Sequence, residues 1–284
     1  MKEVNTFKYL LSVIIYGTIG YFLHFINASS EFVVMCRGLI GSLFILLIMF
    51  IKHKLPNIKS IKENIPLLIL SGSSLGFNWL FLFAGYRYAV SITSLINYTA
   101  PIMVVIITSI FMKEKLSLKQ NVCILVAFLG IVFVSGIFDG NVLFDYHCFL
   151  YGFIAAIGFV VLVLCNRKIK NIDPLDKTVV QLFVSFLTVL PVVLINNYIP
   201  KNLTTDSLLL VIMLGVVHTG FAYILYFNSI DELPAHKIAI LGYVEPVLSI
   251  MIGTFVFDEK LSILGFIGAI LILGSALLNE LGHK

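Results

Sequence analysis

The chain has 284 residues, 60% of them hydrophobic and only 12% charged, with a net charge of +4. Soluble domains carry about 25% charged residues, and a mean hydropathy of +1.04 belongs to a chain solvated by lipid. A cytosolic enzyme, a nucleic-acid module and a disordered chain are thereby excluded. Cys36, Cys123, Cys148 and Cys165 show no CxxC spacing and lie in or beside apolar runs. They read as small packing residues, not as disulfides or metal ligands.

A membrane-crossing helix needs roughly 20 mostly apolar residues. Ten such runs follow in chain order, at about 7–26, 32–51, 65–86, 91–112, 118–137, 147–165, 178–196, 208–230, 236–257 and 262–281. The connections are short and leave no soluble domain. The first run is too long for a signal-peptide apolar region and has no small-residue cleavage site after it, so it reads as a retained helix. The expected fold class is an all-α integral membrane protein of ten transmembrane helices.

Direction follows from the basic residues, which cytoplasmic loops retain. With the N-terminus inside, 15 of the 19 Lys and Arg fall inside, among them Lys54, Lys59, Lys170 and Lys237. Only Arg87, Lys201 and Lys260 fall outside, with Asp139, and Arg37 lies within a helix. Both termini are expected in the cytoplasm, and the chain in the plasma membrane as a multi-pass protein.

Tyr98-Thr99-Ala100-Pro101 matches Tyr243-Val244-Glu245-Pro246 at an offset of 145, and the same offset pairs Glu114-Lys115-Leu116-Ser117 with Glu259-Lys260-Leu261-Ser262. Residues 1–141 and 142–284 therefore read as two copies of a five-helix unit. Five is odd, so the second copy enters from the opposite face and the repeats are inverted. Inverted repeats are the architecture of secondary transporters, with the substrate site near the midplane where the copies meet.

These paired segments resemble the drug/metabolite transporter superfamily, EamA type. Glu245-Pro246 resembles that family's helix-9 pattern, Glu114-Lys115 and Glu259-Lys260 the acidic-basic pairs that close helices 4 and 9, and Arg37 the frequent helix-2 Arg. Helix 4 departs by carrying Ala100-Pro101 where helix 9 has Glu245-Pro246. The resemblance implies export of amino acids, small metabolites or toxic compounds, with uptake in some branches.

Two charges lie within spans, Arg37 and Glu245, and each costs about 2.5–3.5 kcal/mol at a helix centre. Such residues are functional candidates. Glu245 is read either as a carboxylate that binds substrate or a proton, or as a protonated structural group. Arg37 is read as an outer helix anchor or ion-pair member, or as the cation that takes a substrate carboxylate. Asn78, Trp79, Tyr98, His218, Tyr223 and Tyr243, with Glu245, are the candidate substrate-binding set; singly, each reads as interhelical packing. Asn97 is a candidate partner for a carbonyl freed by Pro101. Pro101 and Pro246 sit at equivalent positions and are read as hinges. Gly72 and Gly76 mark close helix packing in the bundle. His218 has no second ligand at metal spacing, so no metal or cofactor is expected.

The sequence reading is a secondary transporter that exports amino acids or related small polar metabolites by alternating access through a cavity between the repeats. It is not expected to be an enzyme, since GxxxxGK[ST] and HExxH are absent and no pair of carboxylates lies at the midplane. Its partners are a small-molecule substrate and the lipid bilayer, without nucleic acid, with protons as the candidate coupling ion, in a monomer or homodimer. The alternative is an uptake carrier or a multidrug or organic-cation exporter of the same fold, with an aromatic cage around Trp79.

Overall fold

The computed structural model describes residues 2–112, 117–134, 146–230, 233 and 241–280. Among these every regular element is helical. In chain order they are α1 (Lys2–Gly17), α2 (Ile19–His24), α3 (Ser30–Ile51), α4 (Ile58–Tyr86), α5 (Val90–Asn97), α6 (Ala100–Met112), α7 (Leu118–Val134), α8 (Tyr146–Lys168), α9 (Pro174–Ile195), α10 (Thr205–Gly215), a π-turn (Val216–Phe221), α11 (Ala222–Ile230), α12 (Val244–Val256) and α13 (Ile263–Glu280). Among the described residues, seven helical stretches are long and apolar enough to cross a membrane: Glu3–His24, Ser30–Ile51, Ile58–Tyr86, Val90–Ile107, Tyr146–Lys168, Pro174–Ile195 and Thr205–Phe227. Three shorter apolar helices, Leu118–Val134, Val244–Val256 and Ile263–Leu278, fall on the fifth, ninth and tenth expected runs. Lys237, Glu114-Lys115 and Asp139 lie outside the described residues.

Polar side chains close several helix ends where the apolar runs stop. Ser29 accepts from the Phe32 amide, Asn57 from Lys59 and Ser60, Asp173 from Leu175, and Thr204 from Ser207. Each occupies a donor that a first turn leaves unpaired. His53, Asn171, Asn197 and Asp258 adopt positive φ just past the ends of α3, α8, α9 and α12, the left-handed position that ends a helix and that Asn, Asp and His tolerate.

Large apolar side chains such as Phe50, Leu125, Phe128 and Phe266 are exposed on the outside, while Ser12, Ser42, Ser71, Asn78 and Gln181 are buried. This distribution suits a lipid solvent. Buried hydroxyls return to their own helix, as Ser71 and Ser74 do to the Leu68 and Leu70 carbonyls, or bridge helices, as when Gln181 donates to Ser71 at 2.7 Å and Asn166 at 2.7 Å.

The largest apolar core gathers Val33 and Ile45 of α3, Trp79 and Phe83 of α4, Leu182 of α9 and Leu214 of α10. Gly72 and Gly76 of α4 lie on α9: a methyl on Gly72 would stand 2.8 Å from the Gln181 carbonyl, and one on Gly76 3.1 Å from Ser185 Oγ. Glycine is what lets these backbones approach, as the spacing predicts.

The most extensive packing joins α4 with α8 and α9, α3 with α9, α7 with α13, and α1 with α11. All of it runs between the chain's first and second halves. Exchanging the halves maps the pattern onto itself: α4 on α8 answers to α11 on α1, and α4 on α9 to the π-turn on α3. The contacts α3–α9, α5–α12 and α7–α13 answer to themselves.

One end of the bundle is stitched shut. Lys54 Nζ meets Asp173 Oδ2 at 2.7 Å, Asp176 Oδ2 accepts from the Asn57 amide at 3.0 Å, and Asn64 Nδ2 donates to the Lys170 carbonyl at 3.0 Å. Burial pushes the Asp173 carboxyl up, but hydrogen bonds from Lys54 and the Leu175 amide outweigh it and hold it below the usual carboxylate range.

Candidate functional site

The site begins with the π-turn. Its wider i→i+5 winding inserts one residue into the α10–α11 helix, a departure that recurs at functional sites. It presents His218 and Thr219, both buried, toward α1, α2 and α3. Thr219 Oγ1 donates to the Leu214 carbonyl at 2.9 Å and accepts from Arg37 Nε at 2.9 Å. His218 Nε2 is 3.1 Å from Thr18 Oγ1, and the Phe22 ring stands edge-on to the imidazole at 5.1 Å.

Arg37 is 1% exposed, so it does not snorkel to an interface. Its guanidinium lies 4.2 Å over the Trp79 ring and 5.1 Å from Phe83, a desolvated cation–π arrangement worth about 2 kcal/mol. Arg37 Nη1, the Tyr16 hydroxyl and His218 Nδ1 are buried without a hydrogen-bond partner. Orphaned buried donors are rare in native interiors.

Glu245 approaches from the other half of the chain, in the first turn of α12. It is half-buried, and the Tyr98 hydroxyl donates to its carboxyl. Arg37 and Glu245 interact electrostatically with each other and with Tyr16, Tyr86 and Tyr223, yet form no salt bridge. The Tyr16 and Tyr223 rings pack at 5.7 Å, and Tyr86 accepts a hydrogen bond from Ser94 at 3.1 Å. The two opposite charges thus share the same tyrosine neighbours while neither neutralises the other by contact.

Of the sequence-predicted set, Arg37, Trp79, Tyr98, His218, Tyr223 and Glu245 come together here. Asn78 does not join them: its amide donates to Asn97 Oδ1 at 3.1 Å and the Ala155 carbonyl at 2.8 Å, tying α4 to α5 and α8. Asn97 is thereby occupied across helices. Tyr243 packs with an apolar cluster that includes Ile102, Ala127 and Ala276. Tyr16, Tyr86 and Thr219 belong to the site and are not singled out by the sequence pattern.

The helices carrying Pro101 and Pro246 are interrupted at matching places. The break between α5 and α6 falls at Tyr98-Thr99, and the turn before α12 falls at Tyr243. Each proline therefore sits in the first turn after an interruption, where its missing N–H is least costly.

A cavity of about 650 Å³ opens at the end opposite the Lys54–Asp173 stitch, lined by Gly20, His24, Asn27, Tyr86, Arg87 and Tyr198 among others. Arg37 and Glu245 do not line it; it meets their cluster at Tyr86.

The comparisons agree with this architecture. A crystal structure titled only "Crystal structure of protein" superposes with a TM-score of 0.67 at 15% identity, covering 100% of both chains, which is a likeness of fold. The uncharacterized transporter YxxF of Bacillus subtilis is 27% identical over 256 residues, 89% of this chain and 82% of that protein. The protein PecM of Dickeya dadantii is 22% identical, over 75% of this chain and 73% of its own. The EamA-like transporter family profile matches twice, at residues 7–136 and 147–281, one match in each half. Two halves that pack by mutual exchange, apolar helices turned outward to lipid, and this double match place the chain in the EamA-like transporter family, as a multi-pass membrane transporter and not an enzyme.

Proposed function

We propose that the protein is a ten-span secondary transporter that exports amino acids or related small polar metabolites by alternating access between two inverted repeats, residues 1–141 and 142–284. The observation that carries this reading is the pair of charges within spans, Arg37 buried in one half and Glu245 half-buried in the other, with no salt bridge between them. A bound zwitterion would pair with both charges. Its carboxylate takes the unpartnered Arg37 Nη1, with Tyr16 and His218 as further donors, and its ammonium takes Glu245. Trp79, Phe83, Tyr86 and Tyr223 supply the apolar wall that small-molecule sites require. Protons are the proposed coupling ion, exchanged at Glu245, in a monomer or homodimer. The organic-cation alternative needs an open Trp79 face, and the Arg37 guanidinium already covers it at 4.2 Å.

Counterflow in proteoliposomes tests the reading. Labelled amino acids should accumulate against an internal unlabelled pool, and labelled quaternary amines should not. Accumulation of the amines alone would replace this reading with the organic-cation one.

Orientation and hinging belong to the same proposal. Lys54 and Lys170 gather at the stitched end, and Arg87 lines the cavity end together with Pro200, the neighbour of Lys201 in sequence, in keeping with the charge split. The proposed placement is the plasma membrane with both termini inside. An impermeant thiol reagent added outside intact cells should label a cysteine placed at 201 and spare one at 59. In the same assay, Pro101→Ala and Pro246→Ala should shift the accessibility of a site-facing cysteine in opposite directions, because the two breaks serve opposite gates. A shift in the same direction, or none, makes the prolines static features.

A further inference from the structure

The strongest cross-half contact outside the charge cluster is made by Glu259. The chain leaves α12 through Asp258 at φ 53°, and the Glu259 amide returns to the Gly253 carbonyl at 3.0 Å, six residues back. This tight reversal aims the Glu259 side chain across the bundle at the start of α5. There Oε1 accepts from the Val90 amide at 2.6 Å, and Oε2 accepts from the Ser91 amide at 2.8 Å and from the Ser91 hydroxyl. The α5 N-cap residue, Ala89, supplies no capping side chain of its own. A carboxylate 169 positions away in sequence therefore satisfies the donors that begin this helix, with a charge of the sign its dipole favours.

The contact closes a three-part seal. The Phe257 ring stacks on His24 of α2 with centroids 4.3 Å apart. Gly20 is so close to α5 that a methyl there would stand 2.7 Å from Val90, and one on Gly17 would stand 2.9 Å from Leu248 of α12. The ends of α2, α5 and α12 thus meet at one level, at the cavity end of the bundle. The 650 Å³ cavity includes Gly20 and Tyr86 in its lining, beside this seal and not beyond it. Glu245 lies on the same helix as the seal, further from the cavity end.

We infer that Glu259 is the latch of the outer gate: while it caps α5, the ends of α5 and α12 are held together over the central site, and the outer side opens when the cap releases. It is a positioning residue, which acts through α5 and α12 and does not touch cargo. The inference rests on the transport reading above for its purpose, but its geometry stands apart from any substrate.

The test uses the full chain with its four native cysteines replaced by alanine and a single reporter, Ser249→Cys. Ser249 is 4% exposed on α12, one turn beyond Glu245. Glu259→Gln keeps the shape and removes the charge. It should raise the rate at which an impermeant maleimide, added outside, labels position 249 by about tenfold, and should leave labelling from the cytoplasmic side unchanged or slower. Ser91→Ala removes one of the three donors and should give a smaller rise. The double variant should behave like Glu259→Gln alone, because both changes cut the same contact. If Glu259→Gln lowers thermal stability with no change at 249, or raises labelling equally from both sides, the residue is a structural cap and the latch is wrong. If Glu259→Gln does not fold, Ser91→Ala decides by the same sidedness. One-sided labelling in a protein that shows no counterflow would keep the latch and remove the transport reading.

Discussion

Glu245→Gln should leave the protein folded and inserted while lowering amino-acid counterflow by about 10–100-fold. Glutamine has the shape of glutamate and still accepts from the Tyr98 hydroxyl, so the start of α12 keeps its local contact. The negative charge is lost, and with it both the counter-charge to Arg37 and the group proposed to hold an ammonium. A hydrogen bond to a charged group is worth about 1.5–3 kcal/mol, and each 1.4 kcal/mol is tenfold in binding. The loss should be selective. Carboxylates without an amine should be affected less than amino acids, and proton-driven accumulation should disappear if Glu245 is the coupling site. Counterflow equal to wild type at every pH tested would leave Glu245 a purely structural group.

Arg37→Lys keeps the charge and should still weaken amino-acid binding by about 10–100-fold. Lysine has no planar fork, so the Nε bond to Thr219 at 2.9 Å and the stacking over Trp79 at 4.2 Å are both lost. The freed ammonium is a point charge on a flexible stem, and the Nη1 position offered to a carboxylate is no longer held. Comparing an amino acid with its decarboxylated amine separates recognition from architecture. If Arg37 binds the carboxylate, the variant weakens the amino acid and spares the amine. Equal weakening of both would show that Arg37 only holds α3 against the π-turn and α4.

Much of the fold is legible in the chain because lipid imposes a simple rule. Each of the ten apolar runs coincides with helix in the described residues, and the small-residue pair Gly72/Gly76 marks where α4 lies on α9. The offset of 145 pairs Tyr98 with Tyr243, and the helix interruptions fall at these two residues, just before Pro101 and Pro246. The site is less legible. The π-turn has no compositional signature, since Val216, Val217 and Phe221 continue the apolar run without a break. Nothing in the sequence pattern marks Tyr16 or Tyr86, and only three-dimensional contact brings them toward Arg37 and Glu245. Asn78 illustrates the reverse: a mid-span amide invites a binding role, and here both of its hydrogen bonds are spent on Asn97 and Ala155. Glu259 reads as the acidic member of a helix-closing pair. Its capping of α5 is invisible from sequence because its partners are 168 and 169 positions away.

The packing of each half against the other bears on how the protein is made. Arg37 is synthesised 182 residues before Thr219, its hydrogen-bond partner. At about 5–20 residues per second, it waits about 10–40 s for that partner. Throughout this interval the guanidinium, costing about 2.5–3.5 kcal/mol in a helix centre, has only the rings of Trp79 and Phe83 from its own half to stack on. Asn78 waits for Ala155 over 77 residues, and the start of α5 waits for Glu259 almost to the end of the chain. The first five apolar runs therefore enter the membrane before the second-half helices that make their most extensive packing exist. A ribosome that stalls after the first half leaves a polypeptide with polar groups open to the bilayer, which marks it for membrane quality control.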